Sequence, residues 1–345
     1  MNKKSFLYVM SIFFIFLSQV SAGFVDITQG FNVMTFGDFY DHNDQIHGKV
    51  ATGGNATIVE SFGVNIDADI DDPGTASLKA IVSGKNVTVS GNGQVHGSIY
   101  AQGDVNVDKA TVNGDVYGKN VTMVGYDVRG TMYHTESVST PYGSTEKIDV
   151  LPVPVDFAAT QAETQAFSTQ LAGFGSNDFS ISSGVLSLND VSASGDLNFF
   201  TIDASDFSQV TDLHFENLDE QYVINIDGNG GDIVLNEINQ KNYGTSDDFN
   251  FSNVLFNFVN TSTLKIGSFY GNLLAAGTNV TADDGMMKGC FVANSFSGKY
   301  EFHEITPGNF NPPQNVPESS TVSMIVIGAL VLLYSSRKKI ALLKK

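Results

Sequence analysis

The sequence predicts a mainly β protein, a parallel β-solenoid (β-helix) built from N- and C-terminal coils, with one long helix packed alongside. Three observations support this fold class. Similar segments begin at Gly97, Gly114 and Gly130, at intervals of 17 and 16 residues. Inside each segment valines alternate with polar residues, which is typical of strands with one buried face. Glycine, asparagine and aspartate recur where each coil must turn.

The period of this repeat is nearly constant. Val87, Val105, Val121 and Val138 hold equivalent positions at intervals of 18, 16 and 17 residues. The inner face of one coil is too small to be stable alone, so neighbouring coils must stack to bury a core. A β-sandwich is the alternative, but its hairpins would give irregular spacing. We therefore place the first set of coils at residues 48–139.

The same pattern returns near the other end of the chain, where Gly271 and Gly289 begin similar segments 18 residues apart. We expect strands and returning coils over residues 180–305, and we expect both sets of coils to join in one stack. Between them a helix is predicted over residues 156–172, with Asp156 as its N-cap. Its predicted apolar stripe comprises Ala159, Ala162, Ala166, Phe167 and Leu171.

Composition and charge exclude several classes of protein. The 345 residues include 37 acidic and 18 basic side chains, which gives a formal charge of −19. This excess of negative charge repels phosphate backbones, so we expect no nucleic-acid partner. The single cysteine, Cys290, leaves no disulfide framework and no cysteine-rich zinc site.

Residues 1–22 are predicted to be a signal peptide. Lys3 and Lys4 precede an apolar stretch, and small residues end this segment at Ala22. The arrangement is typical of secretory signals, which are cut after a small residue. The apolar stretch is also shorter than a membrane helix requires. We predict cleavage between Ala22 and Gly23.

Residues 311–345 are predicted to form a sorting segment with a short transmembrane helix. Its apolar run at 322–334 is followed by a basic cluster. As a helix this run is about 20 Å long, which is short for a bilayer core of about 30 Å, so insertion is marginal. The basic cluster should stay cytoplasmic, which leaves residues 23 to about 315 outside the inner membrane.

The order of these features resembles a PEP-CTERM sorting signal. Val316, Pro317 and Glu318 precede the apolar run, although Ser319 stands where that family usually has a second proline. The resemblance implies transient insertion of the helix in the inner membrane and an exosortase-type sorting enzyme as a partner. A plain single-pass anchor is the alternative.

The mature body resembles the choice-of-anchor A family over nearly its whole length. The motifs are Gly-Asp-Phe at 37–39 with the segment 48–56, and near the end the segments 271–275 and 279–281. The sequence departs from the family at 276–277, where relatives tend to have a Pro-Asn pair. The resemblance implies an adhesive domain that is joined to a surface anchor. The order of coils, helix and returning coils also resembles ice-binding β-solenoids, at the level of architecture alone.

One residue of each coil is predicted to point outward between two inward-facing apolar residues. Stacked coils would align these side chains at the spacing of neighbouring strands, about 4.8 Å. Such a rank suits contact with a sugar polymer, with ice or with another strand; the alternative is that threonine simply favours strands. The repeat also explains the Asn-x-Thr sequons of these coils. The predicted rank comprises Thr57, Thr88, Asn106, Thr122 and Thr281.

A calcium site is the one metal site that the sequence suggests. Asp67, Asp69 and Asp71 place carboxylates at alternating positions beside a turn, and carboxylate oxygens suit a hard cation such as Ca²⁺. The stretch lacks the glycine and the distant glutamate of a helix-loop-helix site. A solvated acidic loop is therefore the alternative, and no other cofactor is expected.

Catalytic motifs are missing from the sequence. The six histidines show no spacing typical of metal ligands, and no residue is assigned a catalytic role. We therefore expect no enzyme, but a secreted or cell-surface adhesive protein that binds an extracellular polysaccharide or surface. An ice-binding protein is one alternative. A polysaccharide lyase or hydrolase is another, because paired aspartates in a solenoid groove can cleave acidic polysaccharides.

Overall fold

The protein is represented by a computed structural model that describes residues 23–69, 74–125, 127–141, 143–152, 154–189, 197–215, 217, 220–235 and 251–313. Several predictions from the sequence fall outside this part of the chain. They concern the signal peptide up to Ala22, Asp71, the residues Val316, Pro317 and Glu318, and the apolar run at 322–334. In the described residues we find no helix with the length and apolar character needed to cross a membrane.

Short strands follow one another along the chain. The first half contains β1 (Val33–Thr35), β2 (Phe39–His42), β3 (Gln45–Ile46), β4 (Val50–Thr52), β5 (Ala56–Val59), β6 (Phe62–Val64), β7 (Lys79–Ser83), β8 (Val87–Val95), β9 (Ser98–Ala101), β10 (Val105–Val112), β11 (Val116–Val124), β12 (Thr131–Ser139) and β13 (Ser144–Lys147). The second half contains β14 (Phe179–Ser182), β15 (Val185–Leu188), β16 (Leu197–Asp203), β17 (Asp212–Phe215), β18 (Gln221–Asp227), β19 (Asp232–Val234), β20 (Val254–Val259), β21 (Thr263–Lys265), β22 (Phe269–Tyr270), β23 (Asn272–Ala282), β24 (Met286–Lys288), β25 (Phe291–Gly298) and β26 (Glu301–His303). The helices are α1 (Phe24–Thr28), α2 (Phe157–Ala172) and α3 (Ala204–Phe207), and short 3-10 turns lie at Thr75–Ser77 and Phe251–Asn253.

The main sheet is parallel, and its strands fall into three rows, here called faces A, B and C. Face A comprises β16, β18, β20, β1, β4, β7, β9, β13 and the first parts of β23, β25, β11 and β12. Face B comprises β19, β21, β2, β5, the first parts of β8 and β10, and the second parts of β23, β25, β11 and β12. Face C comprises β22, β24, β26, β3, β6 and the second parts of β8 and β10.

The two halves of the chain meet inside this sheet. On face A, β1 lies between β4 of the first half and β25 of the second half. On faces B and C, β2 pairs with β25 and β3 pairs with β26. The parallel sheet therefore continues from one half of the chain into the other. The result is a closed, solenoid-like parallel sheet, and the mainly β class predicted from the sequence is confirmed.

The predicted repeat matches the observed register. Val87 is opposite Val105, Val105 is opposite Val121, and Val121 is opposite Val138. Glycine is required where β8 passes from face B to face C at Gly91, which has φ +119°. A side chain there would also collide with the backbone of Glu60, which connects β5 and β6. Close contact between neighbouring chain segments therefore explains why this position of the repeat carries glycine.

Aromatic side chains fill the core where the two halves join. The ring of Phe39 from the first half lies 5.5 Å from that of Phe296 and 6.1 Å from that of Phe302, both from the second half. Each of these rings is at most 1% exposed. Burial of one phenylalanine side chain contributes about 1.5–3 kcal/mol, so this cluster favours the closed arrangement.

Helix α2 confirms the predicted position of the helix and the burial of Phe167 and Leu171, but not the rest of its predicted buried stripe. Asp156 is the N-cap, and its side chain accepts a hydrogen bond from the backbone N–H of Ala159 at 3.1 Å. The predicted alanines Ala159, Ala162 and Ala166 are exposed. The residues that are buried are Thr160, Thr164, Phe167, Ser168 and Leu171. Small hydroxyl side chains can be buried here because they hydrogen-bond locally, as Thr164 Oγ1 does to the carbonyl of Thr160 at 2.6 Å.

Helix α2 packs on face A through two buried asparagines of the sheet. Ser168 Oγ donates to Asn257 Oδ1 at 2.6 Å, and Asn257 Nδ2 donates to the Ser168 carbonyl at 2.9 Å and to Asn225 Oδ1 at 2.8 Å. Asn225 Nδ2 donates to the Leu171 carbonyl at 3.1 Å. The sheet therefore supplies additional hydrogen bonds to two carbonyls near the C-terminal end of the helix.

Part of the second half lies outside the parallel sheet. Strands β14 and β15 form an antiparallel hairpin, and β15 pairs in parallel with β17 in a separate three-stranded sheet. Ser183 and Gly184 connect the hairpin with φ values of 51° and 81°. Two consecutive positive φ values are typical of the tight turn that matches the twist of a hairpin. The strands expected in this part of residues 180–305 are therefore present, but those of this segment form a separate sheet.

Candidate binding face

The five residues of the predicted rank lie in one row on face B. Thr57 is opposite Thr88, Thr88 is opposite Asn106, and Asn106 is opposite Thr122. Thr281 joins the same row through Ser297 and Tyr40, because Thr281 is opposite Ser297, Ser297 is opposite Tyr40, and Tyr40 is opposite Thr57. The structure therefore brings together residues that are 224 positions apart in the sequence, such as Thr57 and Thr281.

This row contains further residues that the sequence analysis missed. They continue it at both ends and fill the junction between the halves, and we call the complete set the face B row. The face B row comprises Val234, Lys265, Thr281, Ser297, Tyr40, Thr57, Thr88, Asn106, Thr122 and Ser139. Local repeats could not reveal it because β2, β19 and β21 do not share the glycine motif of the first coils.

Side chains of the face B row point away from the core. Asn106, Thr122 and Thr281 are exposed, whereas Thr57 and Thr88 are half-buried. The residues on either side of Asn106 in its strand, Val105 and Val107, are at most 1% exposed. The alternation of inward valines and outward polar residues is therefore present, as expected for a strand with one solvated face.

The chemistry of the face B row is mixed. Most positions carry a hydroxyl or an amide, which can both donate and accept hydrogen bonds. Tyr40 is 39% exposed and adds an aromatic ring, and Lys265 Nζ forms an ion pair with Asp283 Oδ2 at 2.5 Å. The row can therefore hydrogen-bond along an extended ligand, but its members differ in size and charge.

A ladder of side-chain amides runs beside this row at the corner between faces A and B. Asn86 Nδ2 donates to Asn55 Oδ1 at 3.0 Å, and Asn55 Nδ2 donates to Asp38 Oδ1 at 3.0 Å. Further along, Asn120 Nδ2 donates to Asp104 Oδ1 at 2.8 Å. The asparagines of the Asn-x-Thr sequons thus have a structural role in the repeat, which agrees with the explanation given from the sequence.

A shallow polar groove lies over part of this ladder. Two lysines contribute to it in an otherwise acidic molecule, and one of them, Lys119, pairs with Glu136 at 3.1 Å. Its amide, carboxylate and ammonium groups can all hydrogen-bond to hydroxyl groups of a ligand. The groove is lined by Gly84, Lys85, Asn86, Gln102, Gly103, Asp104 and Lys119.

Three tyrosines form a stacked row on face A. The rings of Tyr100 and Tyr117 have centroids 4.5 Å apart and are inclined by 7°, and those of Tyr117 and Tyr133 are 4.6 Å apart and inclined by 8°. Burial raises the pKa of Tyr117, and its hydroxyl donates to Asp115 Oδ2 at 3.3 Å. The Gly-x-x-Tyr spacing of the repeat carries the signal for this row, which the sequence analysis did not use.

The acidic loop is connected to a histidine in the structure. Asp67 Oδ1 lies 2.9 Å from His47 Nδ1. The backbone carbonyl of Asp69 accepts a hydrogen bond from Thr75 Oγ1, and Asp71 lies outside the described residues. The calcium site at Asp67, Asp69 and Asp71 stays a prediction.

His47 also belongs to a cluster that the sequence analysis missed. One carboxylate oxygen, Glu301 Oε1, lies 3.2 Å from His47 Nε2 and 3.2 Å from His303 Nε2. Within the described part of the chain, His47, Glu301 and His303 are the group of potential ligands close enough to share a metal ion. The cluster depends on the pairing of β26 with β3, which joins residues more than 250 positions apart, so no local spacing could reveal it.

Comparison with known proteins identifies the family of this chain. A family described as "Putative Ice-binding-like adhesive domain" matches residues 24–304. Neither the curated proteins nor the solved structures gave a match. The family match supports the adhesive part of the resemblance noted in the sequence, whereas the choice-of-anchor A assignment and the PEP-CTERM signal stay predictions. Because the match covers far more than half of its length, the chain belongs to the ice-binding-like adhesive domain family.

Proposed function

We propose that this protein is an adhesive protein that binds an extracellular polysaccharide or surface through the face B row. The observation that carries the proposal is the in-register continuity of this row across both halves of the chain. Ten positions at the spacing of neighbouring strands extend over about 43 Å. A row of this length offers one long ligand many contacts at once.

Binding through such a row relies on the sum of many weak contacts. A single hydrogen bond contributes about 0.5–1.5 kcal/mol net, which is too little to hold a ligand alone. Contacts that are linked along one polymer add up, because each additional contact forms within an already bound complex. We therefore propose that the protein binds its ligand and performs no reaction on it.

The charge of the protein favours an uncharged ligand. A formal charge of −19 repels anionic polymers and nucleic acids. A neutral polysaccharide avoids this repulsion and offers hydroxyl groups along its whole length. We expect affinity for such a polymer to change little with salt, because hydrogen bonds between neutral groups are not screened in the way that ion pairs are.

The proposed function also depends on how the coils are arranged and on where the protein is located. We propose that the closed parallel sheet is a β-solenoid with three faces in each coil, which agrees with the separate rows of pairs on faces A, B and C. We also propose export through the signal peptide at 1–22 and sorting through residues 311–345 by an exosortase-type enzyme. An extracellular or surface location agrees with the adhesive family.

A sedimentation assay with insoluble polysaccharides tests the proposal. Thr88→Tyr and Thr122→Tyr place bulky rings in the face B row, and we expect each to weaken binding to a neutral polysaccharide at least 10-fold. The matched control is Thr111→Tyr, since Thr111 is opposite Gln94 on face C. Equal binding by all three variants and the unchanged protein would refute the role of the row. Release of reducing ends or unsaturated sugars from an anionic glycan would instead support a polysaccharide-cleaving enzyme.

Ice binding is the second candidate because the matched family is described as ice-binding-like. A crystal surface repeats the same chemistry at every step, whereas the face B row changes from hydroxyls to Tyr40 and Lys265. The row therefore suits a flexible polymer better than a lattice. Thermal hysteresis that disappears in Thr88→Tyr or Thr122→Tyr would establish ice binding in its place.

A further inference from the structure

We propose that His47, Glu301 and His303 bind a divalent transition metal ion, with Zn²⁺ as the best match, and that Asp67 orients His47 in this site. The three ligand residues lie on face C, where the first and second halves of the chain meet. Glu301 and His303 belong to β26, and His47 directly follows β3. This site differs from the calcium site predicted at the acidic loop, because nitrogen atoms supply two of its three donors.

Backbone pairing fixes the positions of the three ligands. Phe302 is opposite Ile46, and the N–H of His47 donates to the carbonyl of Phe302 at 2.7 Å. Glu301 and His303 flank Phe302, so their side chains emerge on the same side of the strand. Phe302 itself points into the core and is 0% exposed. The ligands are therefore held on a well-packed strand and not on a loop.

The distances between the donor atoms suit a metal ion. Glu301 Oε1 lies 3.2 Å from His47 Nε2 and 3.2 Å from His303 Nε2, and all three donors lie within 4.8 Å of one another. Bond lengths of about 2.0–2.1 Å in a tetrahedral zinc site separate donor atoms by roughly 3.3 Å. The two imidazole rings are also stacked, with centroids 4.2 Å apart and planes inclined by 22°. Small side-chain rotations would bring all three donors around one ion.

An unsatisfied nitrogen gives independent support for a ligand at this place. His303 Nε2 is buried and makes no hydrogen bond, although Glu301 Oε1 is only 3.2 Å away. A buried polar atom without a hydrogen bond costs free energy, so native proteins rarely leave one. A metal ion between this nitrogen and the carboxylate would satisfy both groups.

Asp67 is not one of the three proposed ligands, but it contacts one of them, His47. Its Oδ1 lies 2.9 Å from His47 Nδ1, so the carboxylate can accept a hydrogen bond from Nδ1–H, which leaves Nε2 free to bind a metal. Histidines that bind metals usually donate their other N–H to a carboxylate or carbonyl in this way. Two imidazole nitrogens and one carboxylate oxygen favour Zn²⁺ or a related transition metal over Ca²⁺ or Mg²⁺, which prefer oxygen ligands.

Metal binding at this place would link the two halves of the chain. On face C the halves pair through Phe302 and Ile46, and the cluster lies next to this pair. An ion held jointly by His47 and Glu301 would connect residues 254 positions apart and would stabilise only the closed protein. We therefore expect the metal to raise the melting temperature.

Zinc titration of the full chain without a histidine tag tests the proposal. We expect one Zn²⁺ per chain by calorimetry, a rise in melting temperature that a chelator reverses, and a visible spectrum typical of four-coordinate Co²⁺ when Co²⁺ is bound. His303→Gln and His47→Gln should each remove this binding. Asp67→Asn should weaken it about 10- to 100-fold, as is typical for partners of metal-bound histidines.

Controls distinguish metal binding from a general effect on folding. His214→Gln changes an exposed histidine of β17 and should leave Zn²⁺ binding unchanged. Circular dichroism in the presence of a chelator should show that His303→Gln and the unchanged protein fold alike. If His303→Gln does not fold, Asp67→Asn and the Co²⁺ spectrum of the unchanged protein decide the question. Absence of Zn²⁺ binding, or Zn²⁺ binding that persists in both histidine variants, would overturn the proposal. So would a Ca²⁺ effect without a Zn²⁺ effect.

Discussion

Asp41 is an acidic residue at an inward position of face B. It is 0% exposed and lies opposite Ile58 in the neighbouring strand. Its Oδ1 accepts hydrogen bonds from the backbone N–H groups of Tyr300 at 3.2 Å and His42 at 3.0 Å, whereas Oδ2 has no partner. Burial disfavours the charged form and raises the pKa of Asp41 from 3.8 to about 7.

This carboxyl group should make stability depend on pH. The folded protein holds the proton up to about pH 7, whereas the unfolded chain releases it near pH 3.8. The free energy of unfolding therefore falls as pH rises between these values, by on the order of 4 kcal/mol in total. Asp41→Asn removes the titration, so its stability relative to the unchanged protein should grow from pH 4 to pH 7 and stay constant above it.

Chemical denaturation at pH 4, 6 and 8 measures this effect. Asp108→Asn is a suitable control because Asp108 points outward on the same face. A difference between Asp41→Asn and the unchanged protein that does not vary with pH would contradict the assignment of the titration to Asp41.

At the scale of single residues, the sequence predicted which way a side chain points better than it predicted what surrounds that side chain. Alternation placed Thr88 and Asn106 outward and their valine neighbours inward, because the period of a strand is fixed by its geometry. The same alternation puts Asp41 on the side of Phe39, facing the core. Its burial could not be predicted because it depends on Tyr300, which lies 259 residues away.

Helix α2 is the element whose observed packing differs most from the packing predicted from the sequence. Its limits followed from Asp156 and the glycines after it, since capping is a local interaction. Counting apolar residues predicted the burial of Phe167 and Leu171 but not that of the hydroxyl side chains beside them. Asn225 and Asn257 on face A select Ser168 and Leu171 of the helix by hydrogen bonding, and this choice requires the tertiary fold.

The asparagines under α2 should be sensitive to substitution. Asn257→Ala removes three side-chain hydrogen bonds and leaves Ser168 Oγ, the Ser168 carbonyl and Asn225 Oδ1 buried without this partner. We expect a loss of about 2–4 kcal/mol in the free energy of unfolding. Urea denaturation measures it, with Asn106→Ala on the exposed side of face B as the control. Equal effects of the two substitutions would contradict the proposed docking of the helix.

The whole molecule depends on the junction between its two halves. Repeat spacing predicted that both sets of coils join in one stack, and the pairing of β1 with β25 confirms continuity of the parallel sheet. Repeat spacing could not predict the cluster at His47, which joins residues 254 positions apart, or the hairpin of β14 and β15, whose turn at Ser183 and Gly184 lies outside the repeat. Both involve contacts that the repeat does not encode.

A disulfide across the junction tests its register. Tyr40 is opposite Ser297, and neighbouring strands are about 4.8 Å apart, which is within the range that a disulfide spans. Tyr40→Cys with Ser297→Cys should therefore form a disulfide on oxidation and raise the melting temperature. The control pair Tyr40→Cys with Thr281→Cys is two strands apart and should not form one.

The native cysteine should not interfere with this experiment. Burial raises the pKa of the Cys290 thiol to about 12, so it is not a reactive thiolate at neutral pH. Mass spectrometry after proteolysis identifies the linked cysteines. A disulfide in the control pair and none in the test pair would contradict the register of the junction.

The proposed binding surface is tested most directly by measuring how tightly variants of the face B row bind one neutral polysaccharide. The variants are taken from both halves of the chain. Thr88 lies in the first half of the face B row and Thr281 in the second. If the row is one binding surface, Thr88→Tyr and Thr281→Tyr should both weaken binding at least 10-fold, while Thr111→Tyr on face C should leave it unchanged. Loss of affinity in one half alone, or in neither, would contradict a binding surface that spans both halves of the chain.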